Sequence, residues 1–537
     1  MTLAAACGWS LVRSLVIALA AWPVCNSQVA WLSNLERRQR RLAWIALLIP
    51  FLCPELWTGY AWKDIGVRLA NLDFWSVIPW SLFSLSPEEA VSRDGVVNEL
   101  LLDLLLFFRA VPVGTVAMYF APPPPLTREA VHCRKLAVSG EGAICGAGFA
   151  PAPRQAGRLM HWQGWFDVWT KVHTTPQLKL AWLKFALYGR FYTAIPAVSL
   201  MFLVAFQEFE LASLIGRPAW TVLLFDAQVG GLMLSESLRL TALPVVCQFV
   251  ILAPLLWTIL TNRANALPQR RAERPLPRGM QFALWLLVLA GLIVTCGIPA
   301  FLVGGGTVAG LRRVVQDRLQ LRMLLNEIFV GLTYALTAAV AAAWIAAGMF
   351  RAARTSRLAA AGAFAFALPG LCGSLVLSLA LIHLLQFPVA RFAYKTPLSL
   401  TAGLILFLLP RAMALRLLLS SGNSAGPGRA GQHVATLLNS SSDPAVGERA
   451  RELSWQLRWR GEFWSAALLS YWVFFDLTLA YLLAPVSIVS APVMLYNQMH
   501  FAKNAILSAL VFLTVLVPVL IFMTAAAARR LLFRWFL

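Results

Sequence analysis

Long apolar runs separated by short polar stretches dominate this chain. No Asp, Glu, Lys or Arg occurs in 240–262, 279–311, 328–350, 358–389 or 504–528. A membrane-spanning helix needs about 20 mostly apolar residues, because lipid offers no partner to a backbone amide and a helix satisfies its own. Each of these runs therefore predicts a span. Further candidates that carry proline or an interior charge lie at 42–62, 97–120, 191–207, 397–419 and 463–484. The stretch 14–35 is long enough to span, lacks a clear small-residue cleavage site and is followed at once by Arg37, Arg38, Arg40 and Arg41, so it reads as a first helix. The pattern predicts an all-α polytopic bundle of about eleven spans.

Composition agrees with that class. Only 13% of the 537 residues are charged and 59% are hydrophobic, whereas soluble domains carry about 25% charge. The formal charge of +21 lies in connections between apolar runs, a topological signal and not a nucleic-acid face. Lys and Arg are retained on the inner side, and three connections besides 37–41 are basic: Arg263 to Arg278, Arg351 to Arg357, and Arg529 to Arg534. The stretch after Trp62 is acidic, with Asp64, Asp73, Glu88, Glu89 and Asp94. These place the amino terminus outside and the carboxyl terminus in the cytoplasm. One outer segment is basic, with Arg312, Arg313, Arg318 and Arg322, and its apolar spacing predicts an amphipathic helix on the outer surface. Trp57, Trp62, Trp75 and Trp80 fit a headgroup-level belt. The eight cysteines show no CxxC, and the histidines do not cluster, so no metal site is expected.

The chain also repeats itself. IPFLC at 49–53 parallels LPGLC at 368–372, and LLFF at 105–108 parallels ILFL at 405–408, with Pro112 and Pro410 just beyond. GRFYTA at 189–194 parallels GEFWSA at 461–466, and LFDAQVG at 224–230 parallels LYNQMHF at 495–501. All occur in one order, which predicts two transmembrane halves, 1–265 with about five spans and 266–537 with about six. Each half contains a long inner loop, 121–189 and 421–461. The span at 282–303 has no counterpart in the first half.

The stretch LAPVSIVSAPVMLYNQMHFAKNAILSA at 483–509 and the corresponding FQEFELASLIGRPAWTVLLFDAQVGG at 206–231 resemble the fused-half permeases of binding-protein-dependent ABC importers, most closely those for iron(III) and thiamine. The resemblance implies a multi-pass inner-membrane permease that moves a small solute by alternating access, without catalysis of its own. It implies separate ATPase subunits that bind ATP, and an extracytoplasmic substrate-binding protein. In such permeases an inner-loop helix with Glu-Ala-Ala, three residues and then Gly docks into the ATPase. Here Glu129, Ala130 and His132 stand in the first loop, with Lys135 where Gly is expected, and His433 and Ala435 stand in the second. No GxxxxGK[ST] loop occurs, so ATP hydrolysis belongs to another polypeptide.

Ionisable residues inside spans are costly and mark bundle interiors or aqueous paths. Glu99 and Asp103 share one helix face a turn apart, with Arg109 further along; they line the path or pair with neighbours. Glu208 and Asp476 hold equivalent places in the repeat, at or near the outer ends of their spans, and either line the path or are exposed at the interface. Arg411 and Arg416 fit snorkelling to lipid phosphates. The competing reading is a secondary transporter driven by an ion gradient, with Asp103 as its coupling acid.

Overall fold

A computed structural model of the chain describes residues 2–70, 93–121, 194–261, 276–353, 356–394, 396–423, 434, 436–438, 444–485, 487–499 and 505–535. Among them every regular element is helical and no strand occurs. In chain order the helices are α1 (Leu3–Asn34), α2 (Arg37–Leu52), α3 (Glu55–Ala70), α4 (Arg93–Phe120), α5 (Ala194–Phe206), α6 (Glu210–Ile215), α7 (Trp220–Val229), α8 (Leu234–Thr261), α9 (Arg278–Leu292) and α10 (Ile298–Gln316). Then come α11 (Arg318–Ala353), α12 (Arg357–Ala367), α13 (Ser374–Leu385), α14 (Pro397–Asn423), α15 (Pro444–Ser454), α16 (Arg460–Phe474), α17 (Leu477–Leu483), α18 (Ala491–Met499) and α19 (Ala505–Trp535).

Seven helices or helix runs are long and apolar enough to cross a membrane, and the number reaches 10 if each of three bent pairs makes one span. The chain is thus a multi-pass helical membrane protein. The eleventh stretch expected from hydropathy forms α5, only 13 residues long. The expected span at 358–389 is not straight: it bends by 104° between α12 and α13. Pro369 and Gly370 lie in a tight 3₁₀ turn there, and Gly373 turns the chain at φ 90°. Pairs α2–α3 and α16–α17 bend by 69° and 65°, the first at Pro54, whose ring removes a helical donor.

Two expectations fail for one reason, which is that a charge or an indole was taken to seek the surface. Helix α1 starts well before residue 14, because Arg13 is buried and held by Glu99. Trp57 and Trp62 are buried too, in α3, where Trp62 Nε1 donates to Val294 O at 2.9 Å. Trp75 and Trp80 lie outside the described residues. The basic segment expected to lie as a surface helix is instead the corner between α10 and α11, with Asp317 as the break.

Small residues let the helices approach. Ala335, Ala338, Ala339, Ala342 and Ala346 are fully buried on α11, which packs on α14 and α16. Gly306 and Gly310, one turn apart on α10, face Ser508, Ala505 and Ala509 of α19, and a Cβ on Gly310 would overlap the Ala505 backbone. Without a hydrophobic drive between helices in lipid, such close contact supplies the association energy. Nearer the amino terminus α1 packs on α4 and α5, with Gly114 against Met201 and Cys25.

Candidate functional site

The breaks in the bent helices come together with the connection between α5 and α6. A helix that stops inside a bilayer leaves amides and carbonyls without partners, and something polar must meet them. Cys53 O, at the end of α2, accepts from Arg109 Nη1 of α4 at 2.8 Å, and Arg109 Nη2 donates to Glu55 Oε1 at the start of α3. In the turn before α13, Gly370 O accepts from Arg411 Nη1 of α14 at 3.3 Å, and the same nitrogen donates to Phe407 O at 2.6 Å. The Arg411 guanidinium lies 3.6 Å from the Phe407 ring centroid and 4.9 Å from that of Trp472. Arg411 therefore does not snorkel to lipid; it turns inward because the break offers an acceptor and aromatic faces. Arg416 instead pairs with Glu462 at 3.1 Å.

The remaining two breaks are capped by carboxylates. Glu208 Oε1 accepts from Leu211 N at 2.9 Å at the start of α6, and Asp476 Oδ1 accepts from Leu479 N at 2.9 Å at the start of α17. A second acid reaches across the protein: Glu210 Oε1, on α6, accepts from Leu477 N of α17 at 3.0 Å. Its other oxygen, Oε2, is buried without a hydrogen-bond partner. Gln207 Nε2 donates to Leu371 O at 2.5 Å, joining the α5–α6 break to the α12–α13 break. Ser213 Oγ and the Tyr496 hydroxyl are 2.6 Å apart.

Charges at these breaks act on one another. Arg109 feels Glu55, Glu208 and Glu210; Glu210 feels Glu55, Glu208 and Asp476; Arg411 feels Asp476 and Glu55. Four carboxylates face two guanidinium groups, so the fully ionised cluster carries an excess of negative charge. Beside it Phe51, Pro54, Glu55, Arg109, Tyr471 and Trp472 line a small cleft. Phe51 and Trp472 meet edge to face at 4.9 Å across it.

The π-helical turn Ile293–Gly297 between α9 and α10 braces the cluster from outside. Widening a helix misaligns its carbonyls and frees them for other donors. Thr295 O accepts from Thr58 Oγ1 at 3.1 Å and from Cys53 Sγ at 3.3 Å, while Val294 O accepts from Trp62.

Compared with protein-family models, characterised proteins and solved structures, the chain matches none.

Of the residues singled out in the sequence, Glu208 and Asp476 fall at this cluster, each within electrostatic reach of Glu55. Glu99 and Asp103 lie apart, on the face of α4 toward α1. Glu99 Oε1 accepts from Trp9 Nε1 at 2.8 Å and Arg13 Nη1 at 2.9 Å, and its Oε2 accepts from Arg217 Nε at 2.7 Å. That network ties α1, α4 and the α6–α7 connection together. Asp103 Oδ1, a turn away, is buried with no partner. Glu129, Ala130, His132, His433 and Ala435 lie outside the described residues. The sequence reading passed over Glu55, Gln207 and Glu210. Their signal was adjacency to a helix breaker: Cys53-Pro54-Glu55 in one case, and the polar run Gln207-Glu208-Phe209-Glu210 between two apolar helices in the other.

Proposed function

We propose that the chain is the membrane-spanning permease of an ATP-driven importer, built as two pseudo-repeated halves that enclose a substrate path. The observation that carries this reading is the matched chemistry of the breaks. In the first half an arginine on a long helix binds the carbonyl at a bent pair, and an acid caps a short helix: Arg109 on Cys53 O, Glu208 on Leu211 N. In the second half Arg411 on Gly370 O and Asp476 on Leu479 N repeat both. On this pairing α1 to α8 match α11, α12, α13, α14, α16, α17, α18 and α19 in order, and α9–α10 is the unpaired span. Broken helices meeting at an interface between repeats are how transporters place polar groups at mid-membrane.

The importer class rests on the resemblance of 206–231 and 483–509 to fused-half ABC permeases. In this reading separate ATPases bind ATP and dock on 121–189 and 421–461. An extracytoplasmic binding protein delivers a small solute of the iron(III) or thiamine kind, and the protein sits in the inner membrane with its amino terminus outside. The test is affinity purification from mild detergent followed by mass spectrometry and ATPase assay. A stoichiometric nucleotide-binding subunit is expected, and its absence overturns the assignment.

A specific observation favours a second reading. Glu210 Oε2 and Asp103 Oδ1 are buried without partners, as a carboxylate that takes up an ion during transport would be. An ion-gradient-driven transporter would lose uptake on dissipation of the gradient with ATP held constant; the importer would not.

A further inference from the structure

We infer that the corner between α10 and α11 is a binding site for anionic phospholipid headgroups. Arg312 and Arg313 close α10, Arg318 and Arg322 open α11, and all four are exposed. Among the described residues none of them is ion-paired. Among the described residues the acid at the corner is Asp317, which spends its Oδ1 on the amide of Gln320 at 3.2 Å, capping its own helix. Among the described residues the corner is thus a concentrated positive charge with no acid paired to it.

Depth and pattern point to lipid as the partner. Phe301, Val308 and Val315 recur every seven residues along α10 and are 81%, 79% and 55% exposed, so one apolar stripe runs up the helix to the arginines. On α11, Leu319 and Met323 are 70% and 54% exposed and alternate with Arg318 and Arg322. A soluble acidic partner would meet a polar rim, whereas this surface continues the lipid-facing one without a break. The charge-free part of α11 begins at Ile328. At 1.5 Å per residue Arg322 stands about 9 Å and Arg318 about 15 Å beyond it. The headgroup zone extends about 5–8 Å past the hydrocarbon on each side, and an arginine stem reaches back over several more ångströms while its aliphatic part stays against apolar neighbours. Guanidinium groups at that level meet phosphate oxygens in paired, charge-assisted hydrogen bonds. Helix pair α9–α10 is also the span that the other half lacks, so this corner adds something the repeat does not require.

The test uses the full chain, purified in detergent and titrated separately with phosphatidylglycerol and phosphatidylcholine, with bound lipid read by native mass spectrometry. The wild type is expected to prefer phosphatidylglycerol, and the preference to weaken with added salt. Changing all four arginines to glutamine should abolish the preference, at about fivefold per arginine, whereas changing all four to lysine should keep most of it. Single R318Q and R322Q variants, each expected to lose about fivefold, keep the test decisive if the quadruple variant does not fold. Equal affinity of the wild type for the two lipids overturns the proposal. So does an unchanged preference in folded glutamine variants, including the case in which those variants lose an acidic protein partner instead. None of these readouts depends on an ATPase, so the importer reading stands or falls separately.

Discussion

Replacing Arg109 by methionine should destabilise the protein strongly, and adding Glu55→Gln should restore part of the loss. Arg109 is buried and makes two polar contacts, one to the Glu55 carboxylate and one to Cys53 O. Methionine fills much of the same volume, so little cavity is created. What remains is an orphaned carboxylate and an orphaned carbonyl at the α2–α3 break. Breaking a buried pair from one side costs about 3–5 kcal/mol. Glu55 keeps some solvent contact, with 22% of its side chain exposed, which argues for the lower end. Losing the donor to Cys53 O adds about 1–3 kcal/mol. In the double variant the first cost falls away and the second stays. Glu55→Gln alone is milder, since the amide oxygen still accepts from Nη2. The expected order of thermal midpoints is therefore wild type, then Glu55→Gln, then the double variant, then Arg109→Met. Midpoints can be read by size-exclusion recovery after heating in detergent. A double variant less stable than Arg109→Met alone would refute the idea that the orphaned Glu55 charge dominates.

Glu99→Gln should destabilise the protein by on the order of 3 kcal/mol, seen as a lower thermal midpoint, because the neutral amide offers one acceptor oxygen where Arg13 and Arg217 used two and leaves both cations without a counter-charge; Asp103→Asn, which removes a charge whose Oδ1 has no hydrogen-bond partner, should be neutral or stabilising in the same assay. Gly310→Val should cost about 1–3 kcal/mol by forcing α10 off the Ala505 backbone, seen as earlier heat aggregation. Glu210→Ala should cost about 1.5–3 kcal/mol by stripping the amide of Leu477 of a charged acceptor, while Glu210→Gln, which keeps an acceptor, should lie close to wild type. If alanine and glutamine variants behave alike, the α6–α17 link is not what stabilises the interface.

The spans were legible because apolar length is a direct physical requirement of the bilayer, and every long uncharged run is helical over most of its length. Their shape was not. Hydropathy averages over a window, so the 358–389 run looked like one cylinder although Pro369 and Gly373 fold it through 104°. The same averaging hid the true start of α1, because Arg13 scores as a surface residue whenever its partner is unknown. Glu99 lies 86 residues away, and only the tertiary structure brings the two together. Arg411 shows the converse error. Its place near a helix end fitted snorkelling, yet the nearer acceptor was Gly370 O, which exists only because the neighbouring helix is broken. Glu208 and Asp476 were readable as a pair, since each sits just before a short apolar segment, and each caps the short helix that follows.

Helix breaks and charges occur together here for a reason that also bears on the proposed transport. Ending a helix inside lipid costs free energy unless its last carbonyls and first amides are met, so Arg109, Arg411, Glu208, Asp476 and Glu210 are each needed where they stand. These are contacts between separate helices, however, and under the proposed function movement of one half against the other would change them. Glu210 reaches Leu477 and Gln207 reaches Leu371 across the pairing proposed above. Separation of α6 from α17 would release a carboxylate and an amide at once, inside a cluster already rich in carboxylates. Water or a solute must then take their place. Under the proposed function, the groups that make the broken helices tolerable are thus the groups an opened path would present to whatever enters it.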